Sequence, residues 1–247
     1  MIRISAVSYL NTLPFIHGIE NSGFLHSDEF KLTRDIPSLC ARKLETKETD
    51  LVLVPVAAIN NLDTINIVTN FCIGANHQVN SVLLVGQKPL NQLKEIYLDY
   101  QSRTSVTLVK VLAKHFWKAD LKWLKATPGY ENKVQDYTGG VIIGDRALEF
   151  SKQYKYKYDL ATAWNDFTGL PFVFACWVCV HPISDDFLNR FNKALAWGIE
   201  NINDINPEFP SLSVEFIHNY FKNDIDYPLN SKKMESMKLF FNYMKTI

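Results

Sequence analysis

The segment EIYLDYQSRTSVTLVKVLAKHFW, residues 95–117, joins a predicted strand to a predicted helix and so indicates an α/β fold. Residues 95–100 have the composition of a short strand, and the helix is expected to run from Ser102 to about Trp117. Ligands of open α/β sheets gather where a strand ends and a helix begins. This junction, DYQSRTS at 99–105, is therefore the first candidate binding site.

Three hydroxyl residues and an arginine stand at this junction, and they have two interpretations. The first turn of a helix exposes unpaired N–H groups and a partial positive charge, which together attract carboxylates and phosphates. Ser102, Thr104 and Ser105 would add hydroxyl donors, and Arg103 would add a full charge. Alternatively, the hydroxyl groups only cap the helix, for which a single serine is enough. The sequence leaves both interpretations open.

Similar strand and helix patterns alternate along most of the chain, which favours parallel strand pairing in an α/β fold. Strands are predicted at 2–7, 29–36, 51–55, 65–69, 80–86, 95–100, 121–126, 140–145 and 171–180. Helices are predicted at 11–20, from Pro37, at 57–62, from Ser102 and from Arg146, followed by three C-terminal helices within 185–202, 213–221 and 232–244.

The α/β pattern restarts after Gly86, which predicts two lobes joined by two crossover segments. The crossovers are expected near 86–89 and 169–172. One lobe would then comprise residues 1–87 and 173–247, and an inserted lobe would comprise residues 88–172. A cleft between two such lobes is a common place for a ligand to bind.

The composition excludes several classes of protein. Lys and Arg number 26 and Asp and Glu number 26, so the chain lacks the basic excess that nucleic-acid binding usually requires. No signal-peptide pattern and no apolar run of membrane-spanning length is present, so we expect a cytoplasmic protein without a membrane anchor. The Cys176-x-x-Cys179 pair lies in a predicted strand, which favours buried free thiols over a redox or zinc site.

Four further places could carry site residues. SYLNT (8–12) follows the first strand, where Asn11 could hydrogen-bond a ligand or only cap a helix. Asn80 and Ser81 open the strand predicted at 80–86 and either line the cleft or mark a loop boundary. Asp145 lies at another strand-to-helix turn, where capping is the alternative. Thr168 lies in an aromatic segment before a Gly-Leu-Pro turn and could reach the cleft.

Motifs for the common cofactors and nucleophiles are absent from the sequence. It contains no G-x-x-x-x-G-K-[ST] or G-x-G-x-x-G loop, no H-E-x-x-H metal motif and no G-x-S-x-G nucleophile elbow. No metal or cofactor is therefore expected, and an enzyme of this kind would work by positioning and hydrogen bonding.

Four blocks taken together resemble a known family. SAVSYLNTLPF, DYQSRTSVTLVKVL, VIIGDRAL and YDLATAWNDFTGLPFVFACWV occur in the order found in the chorismate dehydratases of the futalosine route to menaquinone. The resemblance covers residues from about 4 to 180. The C-terminal helices carry no motif that contributes to it.

This resemblance implies a two-lobed α/β fold of the periplasmic-binding-protein type (type II), with a central cleft and two crossover segments. It implies that chorismate, a dicarboxylate, loses water to give 3-[(1-carboxyvinyl)oxy]benzoate, with Asn11 and Ser81 taking part in catalysis. Val56 departs from the family pattern, in which a serine often follows the third strand. The residues expected to bind substrate are Tyr9, Asn80, Ser102, Arg103, Thr104, Ser105, Asp145 and Thr168.

Two other functions remain as alternatives. A cytoplasmic protein with the same fold could bind a small carboxylate without transforming it. A related enzyme of this fold makes 1,4-dihydroxy-6-naphthoate, although the SYLN and QSRTS blocks fit the dehydratase better. The sequence leaves open whether the protein is a monomer or a homodimer.

Overall fold

A computed structural model describes residues 1–59 and 66–247 of the chain. Ten strands lie within these described residues: β1 (Ile2–Val7), β2 (Phe30–Asp35), β3 (Leu51–Pro55), β4 (Asn66–Ala75), β5 (Val82–Gly86), β6 (Glu95–Leu98), β7 (Lys122–Lys125), β8 (Thr138–Ile143), β9 (Tyr156–Asp159) and β10 (Phe172–Cys179).

Eight α-helices complete the described part of the chain: α1 (Leu13–Asn21), α2 (Pro37–Thr46), α3 (Thr104–Leu112), α4 (Asp145–Phe150), α5 (Leu160–Thr168), α6 (Asp185–Glu200), α7 (Val214–Asn219) and α8 (Ser231–Met244). Among the described helices, none combines the length and the apolar character that crossing a bilayer requires.

Most of the predicted elements are confirmed, with differences at their ends. Strands β1 and β3 have the predicted bounds, and α2 begins at Pro37, whose fixed φ suits the first turn of a helix. The helix predicted for 102–117 is shorter, because α3 ends at Leu112 and a π-helical turn follows. The sequence analysis missed β9 and α5. The helix predicted at 57–62 falls mostly on residues 60–65, outside the described residues.

The chain divides into two compact units with different bounds from those predicted. Unit 1 comprises Met1–Gly74 and Val173–Ser231, and unit 2 comprises Ala75–Phe172 and Lys232–Ile247. The prediction assigned β5 and the C-terminal helix to the first lobe, but both belong to unit 2. The reason is that the unit to which a strand or a helix belongs depends on contacts with residues distant in sequence, which local patterns do not reveal.

Unit 1 contains a five-stranded sheet in the order β2-β1-β3-β10-β4. Strand β1 is parallel to β2 and β3, whereas β10 is antiparallel to β3. The carboxyl ends of β1, β2 and β3 therefore share one edge. Asn11 comes shortly after β1, so it lies at that edge.

Helix α1, which follows Asn11, packs closely against α6. A Cβ atom on Gly18 would overlap the carbonyl oxygen of Ala194, and one on Gly198 would overlap that of Pro14. Only glycine at both positions allows the two backbones to approach this closely. Because α1 begins two residues after Asn11, this contact also fixes where Asn11 lies in unit 1.

Unit 2 contains a second five-stranded sheet in the order β7-β6-β8-β5-β9. Strand β6 is parallel to β7 and β8, while β5 is antiparallel to both β8 and β9. Both sheets are thus mixed: the predicted parallel pairing holds for β1 with β2 and β3 and for β6 with β7 and β8, whereas β5 and β10 run against their neighbours. As a result, the amino end of β5 meets the carboxyl ends of β6, β8 and β9.

Helix α8 joins unit 2 through aromatic packing against α5. The ring centroids of Trp164 and Phe240 lie 5.9 Å apart at nearly right angles, and the Trp164 indole donates a hydrogen bond to Ser236 Oγ at 2.9 Å. Both the apolar area and the satisfied indole N–H favour this contact.

A buried ion pair links the loop after β6 to α4. The guanidinium of Arg146 donates to Asp99 Oδ2 at 2.6 Å and to Gln101 Oε1 at 3.2 Å, and it also pairs with Glu131. The Tyr130 hydroxyl donates to Asp99 Oδ2 at 2.9 Å. The Asp99 side chain is fully buried, so these donors compensate a charge that water cannot reach.

Replacing Arg146 with methionine should destabilise the protein in a pH-dependent way. Burial raises the pKa of the Asp99 carboxyl and Arg146 opposes that rise, so Arg146→Met should raise it further above the unfolded value of ~3.9. A raised pKa of Asp99 in the folded state destabilises the fold only at pH values at which the Asp99 carboxyl of the unfolded chain is ionised. The loss, about 3–5 kcal/mol at pH ~8, should therefore shrink towards pH ~4. Urea unfolding at both pH values measures it.

The matched control removes an arginine from an exposed ion pair. Arg34 pairs with Glu20, and about half of the Arg34 side chain is exposed. Arg34→Met should therefore cost at most about 1 kcal/mol, with little dependence on pH. An equal loss for Arg146→Met at both pH values would show that Asp99 does not need this partner.

Candidate functional site

Asn11 is buried in a short 3-10 turn between β1 and α1. Its side-chain oxygen accepts a hydrogen bond from the Thr12 hydroxyl at 3.2 Å, and its backbone oxygen accepts one from the Tyr227 hydroxyl at 3.1 Å. Tyr9, half-buried, adopts the extended backbone before this turn. The Tyr227 hydroxyl therefore ties this turn to a distant part of the chain, and Asn11 does not cap α1 as the alternative interpretation required.

Val56, which departs from the family pattern, begins the 3-10 turn after β3 in the same unit. It is fully buried. A valine side chain offers no hydrogen-bonding group at this position.

Ser81 is fully buried immediately before β5. Its carbonyl oxygen accepts a hydrogen bond from the Gly144 N–H at 2.7 Å, which brings the turn after β8 beside it. Asn80, the preceding residue, has a φ of 57° in the left-handed region. Few residues other than glycine adopt that region, and asparagine is among those that tolerate it best.

The DYQSRTS segment forms a tight loop that leads into α3. Ser102 Oγ accepts a hydrogen bond from the Ser105 N–H at 2.9 Å, so this serine performs the capping role. Thr104 and Ser105 are buried, while Ser102 and Arg103 are half-buried. The Ser102 hydroxyl thus satisfies one N–H of the first turn of α3, as the capping interpretation expects of a single serine.

Asp145 is the first residue of α4 and is half-buried. Its position in the first turn of the helix favours a negative charge. The preceding residue, Gly144, has φ 60° and ψ −142°, a conformation that side chains rarely allow. This glycine lets the chain turn sharply between β8 and α4.

The sheet of unit 2 brings three of the predicted places together. Asn80–Ser81, the DYQSRTS loop and Asp145 all lie at the edge where β5 begins and where β6 and β8 end. Thr168 is the last residue of α5, about 12 Å along the helix from Leu160, the residue that begins α5 at this edge. Its hydroxyl donates to the Trp164 carbonyl oxygen at 2.8 Å and serves the end of the helix.

A further acidic residue, Asp159, lies at the same edge and was missed by the sequence analysis. Its carboxylate accepts hydrogen bonds from the N–H groups of Ala161 and Thr162 and also from those of Val79 and Asn80. Burial raises the pKa of Asp159, and these four donors oppose the rise. The available signal was an aspartate directly before the apolar run LATAW, a pattern typical of a helix N-cap.

The two cysteines of the C-x-x-C lie on β10, as predicted. Cys176 is fully buried and Cys179 is half-buried. Burial raises the pKa of Cys179 to about 11, so its thiol stays protonated near neutral pH. Across residues 1–59 and 66–247, no group of three or more His, Cys, Asp or Glu side chains is arranged to hold a metal ion.

Two curated relatives are chorismate dehydratases. One, from Thermus thermophilus, is 29% identical over 193 residues, which cover 68% of this chain and 66% of that protein. Another, from Campylobacter jejuni, is 26% identical, with coverage of 98% of this chain and 96% of that protein.

Solved structures show the fold. A protein of Archaeoglobus fulgidus has a TM-score of 0.75 at 16% identity, covering 99% of this chain and 97% of its own. A Candida albicans protein described as having the generic periplasmic binding protein fold has a TM-score of 0.64 at 13% identity, covering 100% of this chain and 90% of its own. The two-unit α/β architecture is thus the periplasmic-binding-protein fold.

A family model described as menaquinone biosynthesis matches residues 2–246, almost the whole chain. This match includes the C-terminal helices, for which the sequence motifs gave no indication. The chain therefore belongs to the menaquinone biosynthesis family.

Proposed function

We propose that this protein is a chorismate dehydratase, a hydro-lyase that converts chorismate to 3-[(1-carboxyvinyl)oxy]benzoate. The observation that carries the proposal is its membership of the menaquinone biosynthesis family over nearly its full length, together with its similarity to curated chorismate dehydratases. The convergence of hydroxyl groups, backbone N–H groups and Arg103 at one edge of unit 2 supports a site for a carboxylate.

The reaction is an elimination that needs no redox partner. The C3–H bond of chorismate breaks, its electron pair forms the new ring double bond, and the C4 hydroxyl group leaves with the proton as water. The product ring is aromatic, which supplies the driving force. The protein has to bind the substrate, hold the two breaking bonds in a productive geometry and assist the departure of hydroxide.

The residues proposed for the reaction have the chemical groups that these steps require. Asn11 would orient the leaving hydroxyl group through its side-chain amide, and Ser81 would hold a carboxylate or carry a proton. The start of α3 would bind one of the two carboxylates, with Arg103 supplying a full positive charge. Asn80 and Asp145 flank Ser81 along the same edge and complete the proposed contacts.

We assign the proton-accepting role to the substrate. A general base must lie within hydrogen-bond reach of the proton that it removes. Asp99, which is buried, and Asp159, which is half-buried, lie at this edge of unit 2 and are occupied by hydrogen-bond donors. The enolpyruvyl carboxylate of chorismate lies close to C3 in the substrate itself and would take the proton once the protein fixes its orientation.

The proposal places the protein in the cytoplasm, where it would act on a free small molecule. A protein that only binds a carboxylate is the main alternative, and the enzyme that makes 1,4-dihydroxy-6-naphthoate is another. Incubation with chorismate followed by chromatography distinguishes the dehydratase from both alternatives. The dehydratase forms 3-[(1-carboxyvinyl)oxy]benzoate, whereas a binding protein or the related enzyme leaves chorismate unchanged.

Removal of the Asn11 amide or the Ser81 hydroxyl should abolish most of this turnover. We expect Asn11→Ala and Ser81→Ala each to lower kcat by about 100-fold or more, because each removes a group that positions or stabilises the reacting atoms. Steady-state kinetics with chorismate measures the loss.

Two substitutions serve as controls for the folded state. Asn192→Ala removes an amide that bridges α6 to the strand β4, and Ser236→Ala removes another fully buried serine of unit 2. Both should lower the free energy of unfolding while kcat stays within about threefold of the original. Full turnover by a folded Ser81→Ala or Asn11→Ala protein would remove that residue from the mechanism.

Removal of the charge on Arg103 should weaken substrate binding. A hydrogen bond to a charged group contributes about 1.5–3 kcal/mol, so Arg103→Gln should raise KM for chorismate by about tenfold or more. Lys110→Gln, near the other end of α3, is the matched loss of charge and should leave KM nearly unchanged. Equal KM values for the two variants would exclude a specific role for Arg103.

A further inference from the structure

Asp159 connects two parts of unit 2 that are far apart in sequence. Its Oδ1 accepts hydrogen bonds from the N–H groups of Ala161 at 2.9 Å and Thr162 at 3.1 Å, which caps α5. Its Oδ2 accepts hydrogen bonds from the N–H groups of Val79 at 2.9 Å and Asn80 at 2.7 Å. An N-cap requires only the first pair, so the second pair needs its own explanation.

The second pair holds the two residues that precede Ser81. Asn80 is in the left-handed region at a φ of 57°, a conformation that costs on the order of 1–2 kcal/mol for a residue with a side chain. Such a conformation persists only where surrounding contacts determine it. Two consecutive N–H groups bound to one carboxylate oxygen provide that constraint.

Ser81 is also held from its other side. Its carbonyl oxygen accepts from the Gly144 N–H at 2.7 Å, and the next residue, Val82, pairs with Ile143 on β8. On the opposite side of β5, Leu83 pairs with Asp159 on β9. The backbone at Ser81 is thus fixed between β8 and the Asp159 carboxylate.

We propose that Asp159 is a positioning residue for Ser81: its carboxylate spans from the start of α5 to the Val79–Asn80 backbone and sets the place of the Ser81 hydroxyl. This inference rests on the proposed function, because it assumes that Ser81 takes part in the dehydration. Asp159 is not itself a base here, since four N–H donors occupy its two oxygens.

Two substitutions separate this role from helix capping. Serine is as good an N-cap as aspartate, but its single oxygen cannot also reach Val79 and Asn80. Asparagine keeps one acceptor oxygen and would turn its NH2 group towards the other pair of donors. Both Asp159→Ser and Asp159→Asn should therefore lower kcat by about 100-fold, which is the loss expected when a catalytic group such as the Ser81 hydroxyl is displaced by about 1 Å. KM should change by less than about threefold.

Combination with Ser81→Ala provides the decisive measurement. If Asp159 acts through the Ser81 hydroxyl, Asp159→Ser should lower kcat by less than about threefold when that hydroxyl is already absent. Amide hydrogen exchange gives an independent readout: the N–H groups of Val79 and Asn80 should exchange faster in Asp159→Ser, while that of Thr162 stays protected by the serine cap.

The control is the loss of an N-cap elsewhere. Ser184 caps α6 through the Phe187 N–H at 3.4 Å, and Ser184→Ala should cost about 1 kcal/mol of stability with kcat unchanged. The positioning role would be overturned if Asp159→Ser kept full kcat, or if the fold-losses in kcat of Asp159→Ser and Ser81→Ala multiplied in the double variant. Either result would leave the proposed role of Ser81 standing. Full turnover by Ser81→Ala would overturn the role of Ser81 and this inference together.

Discussion

Strand β5 runs antiparallel between β8 and β9, and the candidate site in unit 2 depends on this pairing. Neighbouring parallel strands end at the same edge, so β6, β8 and β9 deliver their following loops to one side of the sheet. The reversed direction of β5 brings its first residues to that same side. Ser81 therefore lies beside loops that follow it in sequence by about 20 to 80 residues. A parallel β5 would have placed Ser81 at the opposite edge.

Two carboxylates at this edge, those of Asp99 and Asp159, are compensated within the protein. Asp99 is paired with Arg146 and receives a hydrogen bond from Tyr130, while Asp159 receives four backbone N–H groups. An uncompensated buried carboxylate would repel an anionic ligand and would itself be costly. The remaining functional groups of the edge are hydroxyl groups, amide groups, Arg103 and Asp145. In the proposed function, this arrangement would allow a chain of zero net charge to bind a dianion.

The same carboxylates also control the shape of the edge. Arg146 connects Asp99 and Gln101 to the start of α4, and Asp159 connects α5 to the residues before Ser81. The loop after β6 and the residues before Ser81 are thus each tied to a neighbouring element by charged hydrogen bonds. Such bonds are shorter and stronger than neutral ones, so they suit loops that must hold a fixed geometry.

Local sequence patterns predicted most of the strands and helices and most of the candidate residues. Apolar runs with proline and polar boundaries predicted β1, β3 and the start of α2, and the strand-to-helix junctions pointed to Asn11, Ser102 and Asp145. Only the tertiary structure decided that β5 and α8 belong to unit 2, that both sheets are mixed and that Asp159 binds the backbone before Ser81. These features arise from hydrogen bonds and side-chain packing between residues far apart in the chain, whereas periodicity and capping signals report only on neighbours within a few positions.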